Sequence, residues 1–137
     1  MPAFRLAEAA ALLGVSDDTV RRWVDAGRLP SAPDAAGRAV VDGAALAAFA
    51  AARADAPDVG GTSPASARNH LTGLVTRVQR DGVMAQVDLQ AGPFRVVALM
   101  SREAADELAL EPGVLATAVV KATSVVVQLP TRSGTGA

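Results

Sequence analysis

The residues Ser66-Ala67-Arg68-Asn69-His70-Leu71 concentrate hydrogen-bond donors just ahead of a β-rich run. Ser66 offers a hydroxyl, Arg68 a forked guanidinium and Asn69 an amide, and the backbone between them carries N–H groups. No carboxylate lies within the stretch. Donors without acceptors, gathered at the mouth of a strand, suit a small anion. A second cation stands out for a different reason. Among 13 basic residues Lys121 is the only lysine, and it sits in the apolar run Val119-Val120-Lys121-Ala122. Taken singly, a strand lysine snorkels to water and a lone arginine is a solvated surface charge. His70 is the one histidine; without a second metal-type ligand it reads as a strand-edge residue, and no direct metal ligation is expected. No nucleophile–base–acid pattern and no phosphate-cradling glycine loop occurs, so the expectation is a binding protein and not an enzyme.

The elements that must hold these groups are short. Leu71 to Gln79 reads as a strand whose imperfect alternation suggests a bulge. Asp81-Gly82 is a hairpin turn. From Val83 to Gln90 apolar and polar residues alternate as in a half-buried strand. Ala91-Gly92-Pro93 turns the chain into a third strand, Phe94 to Met100. Ser101 caps a short helix, Arg102 to Leu108, and Glu111-Pro112-Gly113 turns again. Val114 to Val120 and Ser124 to Leu129 complete five strands with one helical interruption, the pattern of a small OB-like barrel.

The first 54 residues are different. Leu6, Ala9, Ala10 and Leu13 recur at helical spacing, and Gly14 stops that helix. Ser16 is an N-cap, with Asp17 and Asp18 in the first turn where the helix dipole favours anions. Val20, Trp23 and Val24 form the inward stripe of a second helix running to about Ala26, while Thr19, Arg21, Arg22 and Asp25 face outward. Asp42 caps a third helix, Gly43 to Arg53, packed through Leu46 and Phe49. Two short helices meeting at Gly14-Val15 make a helix-turn-helix.

Composition bounds the function. The chain has 137 residues, half of them apolar and only 3% aromatic, so its cores are built from small side chains and subunit contacts are expected to add buried area. It has no cysteine, which removes disulfides and thiolate metal sites and fits a reducing cytoplasm. Neither a signal-peptide pattern nor a membrane-spanning run is present, and a cytoplasmic location is expected. The net charge of −1 supplies no global basic field for nucleic acid, so DNA binding must use a local patch or repeated copies.

Two resemblances join these readings. Residues 4–50, through Leu6-Ala7-Glu8-Ala9-Ala10, Gly14-Val15-Ser16, Thr19-Val20-Arg21-Arg22-Trp23 and Gly27-Arg28-Leu29-Pro30, resemble the MerR and excisionase-type winged helix-turn-helix family. That resemblance implies double-stranded DNA as a partner, with Thr19, Arg21 and Arg22 in the groove and Arg28 and Arg38 near phosphates. The wing, Ser31 to Val41, departs from the family in carrying Arg38 as its only basic residue.

Residues 65–130, through Ser66-Ala67-Arg68-Asn69-x-Leu71-x-Gly73-x-Val75, the Asp-Gly hairpin, Leu108-x-Leu110-x-Pro112-Gly113 and Val119-Val120-Lys121-Ala122-Thr123, resemble the Mop (molbindin, or TOBE) domain. That resemblance implies a molybdate or tungstate oxyanion as ligand. It further implies a homo-oligomer, a hexamer built as a trimer of dimers, with anions held between subunits. The implied contacts are Ser66, Ala67, Arg68 and Asn69 on one side and Lys121 and Ala122 on another. The third is Ser101, with Ala104 standing where the family often has a second hydroxyl.

The expected protein is therefore α+β with two domains: a mostly α winged helix-turn-helix at 1–54, a flexible linker at 55–65, an OB-like five-stranded β-barrel with one short helix at 66–130, and a disordered tail at 131–137. The function expected is that of a molybdate-responsive transcriptional regulator. The alternative is a molybdate storage protein whose helix-turn-helix serves assembly or partner binding.

Overall fold

Side-chain caps and glycine stops set the N-terminal helices. In the computed structural model, which describes residues 2–55 and 65–131, Ser16 Oγ accepts the Thr19 N–H at 3.2 Å, and Asp42 Oδ2 accepts the Ala45 N–H at 3.1 Å. Each cap satisfies a donor that the first helical turn leaves open. Gly14, at φ 69°, takes the left-handed conformation that ends the first helix. The elements are β1 (Ala3–Arg5), α1 (Leu6–Leu13), α2 (Asp17–Asp25), β2 (Ala32–Pro33), β3 (Ala39–Asp42) and α3 (Gly43–Arg53).

The strands of this unit form an antiparallel sheet in the order β1-β3-β2. The β2–β3 ribbon turns where Asp34 Oδ1 accepts the N–H groups of Ala36 and Arg38, each at 2.9 Å. Ala9, Ala10, Val20, Leu29, Val41 and Leu46 are buried at the centre, with Phe4, Leu6, Trp23, Val24 and Phe49 packed around them. β1 has no sequence signature. Three residues become a strand only because Phe4 meets Val41, far along the chain.

The chain divides after Asp55. Residues 56–64 and 132–137, where most of the expected linker and tail fall, lie outside the described residues.

The C-terminal unit is organised around one long strand. Its elements are β4 (Asn69–Arg80), β5 (Met84–Ala91), β6 (Phe94–Ser101), α4 (Arg102–Glu107) and β7 (Leu115–Val120), in one antiparallel sheet ordered β6-β5-β4-β7. The first half of β4 pairs with β7, from Asn69↔Val120 to Leu74↔Leu115. Its second half pairs with β5, from Leu74↔Gln90 to Arg80↔Ala85, with a bulge between Val75 and Arg77. The bulge is the source of the broken alternation in the sequence, since an extra residue shifts the side-chain register. The curled sheet is consistent with an OB-like fold. It wraps Val75, Ala85, Val87, Leu89, Ala105 and Leu110.

Two expectations need correction. The sheet has four strands among the described residues, not five. Ala122–Ser124 forms a short 3-10 turn, and the residues after it, read as a strand to Leu129, pair with no strand among the described residues. Val126, Val127 and Leu129 are 89%, 85% and 82% exposed. A high β propensity does not make a strand unless a partner backbone accepts its hydrogen bonds.

The hairpin at Asp81-Gly82 is present, but glycine's left-handed freedom is not what makes it, since Gly82 is absent from the positive-φ residues. Asp81 closes it instead. Its Oδ1 accepts the N–H groups of Val83 at 2.8 Å and Met84 at 2.6 Å, and its own N–H donates to the Met84 carbonyl at 2.9 Å.

Candidate functional site

The donor stretch lies at the start of β4. Asn69 is paired with Val120 in the ladder, and its Nδ2 also donates to the Val120 carbonyl at 3.1 Å. These contacts bring the Ser66–Asn69 segment beside Lys121 and Ala122, which follow β7 directly. Ser66, Arg68, Lys121 and Ala122 are exposed, Asn69 is half-buried, and Ala67 is buried at 8%. The His70 ring nitrogen Nε2 lies 3.2 Å from the Ala67 carbonyl, and Arg68 Nη1 donates weakly to the Ala65 carbonyl at 3.4 Å. His70 thus ties down the loop that presents Arg68. Its adjacency to the donor stretch was the only sequence hint of that role.

No carboxylate among the described residues pairs with Arg68 or Lys121. Three aspartates elsewhere in the unit, Asp81, Asp88 and Asp106, are engaged. The Arg95 guanidinium holds the Asp88 carboxyl below the usual carboxylate range, donating at 2.8 and 3.1 Å, with help from Gln86. The Met84 and Val83 N–H groups hold Asp81 down in the same way. The cationic loop is therefore left to attract an anion from solution.

Ser101 and Ala104 are in a different place. Ser101 pairs with Met84, next to the Arg80↔Ala85 pair at the far end of β4. Twelve residues separate the two ends of that strand inclusively, a contour of about 36 Å. One chain does not unite Ser101 and Ala104 with Ser66 and Lys121. In addition, the Ala104 N–H is already donated to Ser101 Oγ at 3.1 Å, as the cap of α4. Sequence separation gave no warning of this, because the two groups are distant only through the β4–β5–β6 path.

In the N-terminal unit Arg21 and Arg22 are exposed on α2 and Thr19 is half-buried. Thr19 Oγ1 is held between Ser16 Oγ at 2.9 Å and Arg22 Nη2 at 3.1 Å. Arg28 leaves the helix and lies over two rings, 6.0 Å from the centroid of Trp23 and 5.8 Å from that of Phe49. Trp23, read as a core residue, is half-buried and offers a face to cations. Arg38 lies in the ribbon turn, 3.4 Å from Asp34, so part of its charge is neutralised there. The Arg38 N–H in turn holds the Asp34 carboxyl below its ordinary value.

With this geometry in view, comparison with known proteins is informative. A helix-turn-helix domain family model matches residues 3–54, and a TOBE domain model matches residues 65–127. The chain is a helix-turn-helix domain followed by a TOBE domain. Solved structures similar to the TOBE half include a molybdate-binding protein from Sporomusa ovata, 31% identical over 49% of this chain and all of that one, with a TM-score of 0.47. MopII from Clostridium pasteurianum is 36% identical over 48% of this chain and all of that one, with a TM-score of 0.45. The cytoplasmic molybdate-binding protein ModG, in a molybdate-bound form, is 38% identical over 50% of this chain and 49% of its own, with a TM-score of 0.48. The chain thus matches about half the length of ModG. Among curated proteins, none matches. Among the described residues no helix is long and apolar enough to cross a membrane.

Proposed function

We infer that the TOBE unit binds molybdate or tungstate and that the helix-turn-helix unit binds double-stranded DNA, making the protein an oxyanion-responsive transcriptional regulator of the cytoplasm. The observation that carries this reading is the meeting of the Ser66–Asn69 loop with Lys121 at the start of β4, through the Asn69–Val120 contacts. A tetrahedral dianion has only acceptor oxygens. It is held by converging hydroxyl, amide, guanidinium and ammonium donors, and repelled by carboxylates. Ser66, Arg68, Asn69 and Lys121 supply the donors, with backbone from Ala67 and Ala122. No catalytic cofactor and no reaction step belongs to this reading.

The separation of Ser101 and Ala104 from Lys121 supports a homo-oligomer. A cage that includes all of them needs a second copy, whose α4 end approaches the first copy's β4 start. The apolar residues left exposed, among them Val126, Val127, Leu129, Phe94 and Leu99, supply area for such contacts. The Mop resemblance supports a hexamer built as a trimer of dimers. An anion shared between copies then stabilises the assembly in proportion to its occupancy. An assembly carries several helix-turn-helix heads, and engagement of one raises the effective concentration of the next at DNA.

The Arg38–Asp34 pair favours a second reading, in which the protein stores the oxyanion and its helix-turn-helix serves assembly or partner binding. Native mass spectrometry with metal analysis, followed by mobility shifts on DNA from molybdate transport or cofactor genes, separates the two. An oligomer carrying molybdenum that also shifts such DNA is expected for the regulator. Bound metal without any DNA retention selects storage. A lasting monomer that ignores both oxyanions rejects the whole account.

A further inference from the structure

We propose that Arg53, held on the face of Trp23 at the end of α3, is a contact for the phosphate backbone of double-stranded DNA. This rests on the helix-turn-helix reading above and extends its surface beyond α2 and the wing.

The Arg53 guanidinium carbon lies 5.0 Å from the Trp23 ring centroid, and that of Arg28 lies 6.0 Å from the same centroid. Trp23 and Phe49 are themselves in tilted contact, with centroids 5.0 Å apart. Two guanidinium groups therefore converge on one indole. A cation over an aromatic ring is held by the ring's quadrupole, and two cations gathered at one indole concentrate positive charge there. No carboxylate among the described residues pairs with either arginine. A polyanion offsets that charge, and duplex DNA presents one negative charge per about 1.7 Å of axis.

Position supports DNA over other anions. At 3.6 residues per turn, Thr19, Arg22 and Trp23 share one flank of α2, and Arg21 and Asp25 lie round the other side. The stack on Trp23 therefore continues the flank that already carries Thr19 and Arg22, extending it toward the helix's C-terminal end. Arg22 on that flank and Arg28 and Arg53 at Trp23 gather three cations around α2 in a chain whose net charge is −1. Stacking also orders a long side chain before DNA arrives, so less rotamer freedom remains to be lost on contact. The wing has its one arginine tied to Asp34, so a phosphate contact from α3 compensates on a different surface.

Phosphate contacts do not depend on sequence, so the test uses a labelled mixed-sequence duplex and the intact chain. Affinity is measured across a salt series for wild type, Arg53→Ala, Arg53→Gln and the charge control Arg77→Ala in the TOBE unit. Arg53→Gln keeps a planar group on the ring and removes only the charge, which guards against misfolding of the alanine variant. The cooperative thermal transition, followed by circular dichroism, reports whether the variants stay folded, since Arg53 itself touches the Trp23 ring. The expected result is a shallower salt dependence in both Arg53 variants and the wild-type slope in Arg77→Ala. As salt rises from about 50 to about 200 mM, wild type should lose about 3.5-fold more affinity than Arg53→Gln for each engaged head. A wild-type slope in folded Arg53→Gln overturns the assignment and leaves the helix-turn-helix reading standing. Absence of any salt-dependent binding by the wild-type chain overturns both.

Discussion

Alanine in place of Gly73 should destabilise the TOBE unit and leave the helix-turn-helix unit unchanged. Gly73 lies in β4 opposite Ala116, where β5 ends against it. A Cβ built there meets the Gln90 carbonyl oxygen at 2.1 Å, the Gln90 carbonyl carbon at 2.7 Å and the Ala91 Cα at 2.8 Å. All three are backbone atoms, so no side chain can swing aside. Relief requires a shift of about 1 Å in a segment that pairs with both neighbours, through Leu74↔Gln90 and Gln90↔Arg95. Overpacking of this kind costs about 1–3 kcal/mol where side chains give way, and a backbone clash belongs at the upper end, about 3 kcal/mol. For a unit of this size that lowers the melting temperature by about 12–24 °C. Trp23 is the only tryptophan and there is no tyrosine, so tryptophan emission follows the N-terminal unit alone. Melting followed by circular dichroism should show the loss, while the Trp23 transition stays in place. Gly82→Ala is the contrast. A Cβ at Gly82 meets nothing within 4 Å and its φ is not positive, so the change should be neutral. If Gly73→Ala melts like wild type, the close approach of β5 to β4 is wrong.

Further outcomes follow from the same contacts. Arg68→Ala and Lys121→Ala each remove a charge-assisted hydrogen bond worth about 1.5–3 kcal/mol, so calorimetry should show molybdate affinity reduced by roughly ten- to a hundred-fold; unchanged affinity in both rejects their assignment to the site. Ser101→Ala removes the cap of α4 and should cost about 1 kcal/mol in denaturant unfolding, whereas Ser101→Thr should retain most of it. Asp81 and Asp88 have folded pKa values below their ordinary ones, so their stabilising contribution is complete above the unfolded value and is lost as pH falls through the folded one. Urea midpoints should therefore be flat above about pH 5 and fall toward acid, with a smaller fall in Asp88→Asn.

Much was legible in the chain alone, wherever the deciding interactions are local. Ser16, Asp42 and Ser101 cap the helices that follow them, because a cap hydroxyl or carboxylate reaches a backbone N–H three residues away. Gly14 ends α1 because its own backbone conformation does so. The donor stretch at Ser66–Asn69 and the lone Lys121 stand out by composition, and pairing at the start of β4 places them together. What tertiary structure decided concerns partners far along the chain. β1 exists because Val41 is there to meet it, and the run after Ser124 is no strand because no backbone among the described residues receives it. The use of Gly73 is visible only once Gln90 lies 2.1 Å from its missing Cβ. Ser101 and Lys121, implied contacts of an anion held between subunits, lie at opposite ends of β4 within one chain. Hydrogen bonds within a turn are written in neighbouring residues; the distance between two strands' ends depends on register, and register is a property of the folded sheet.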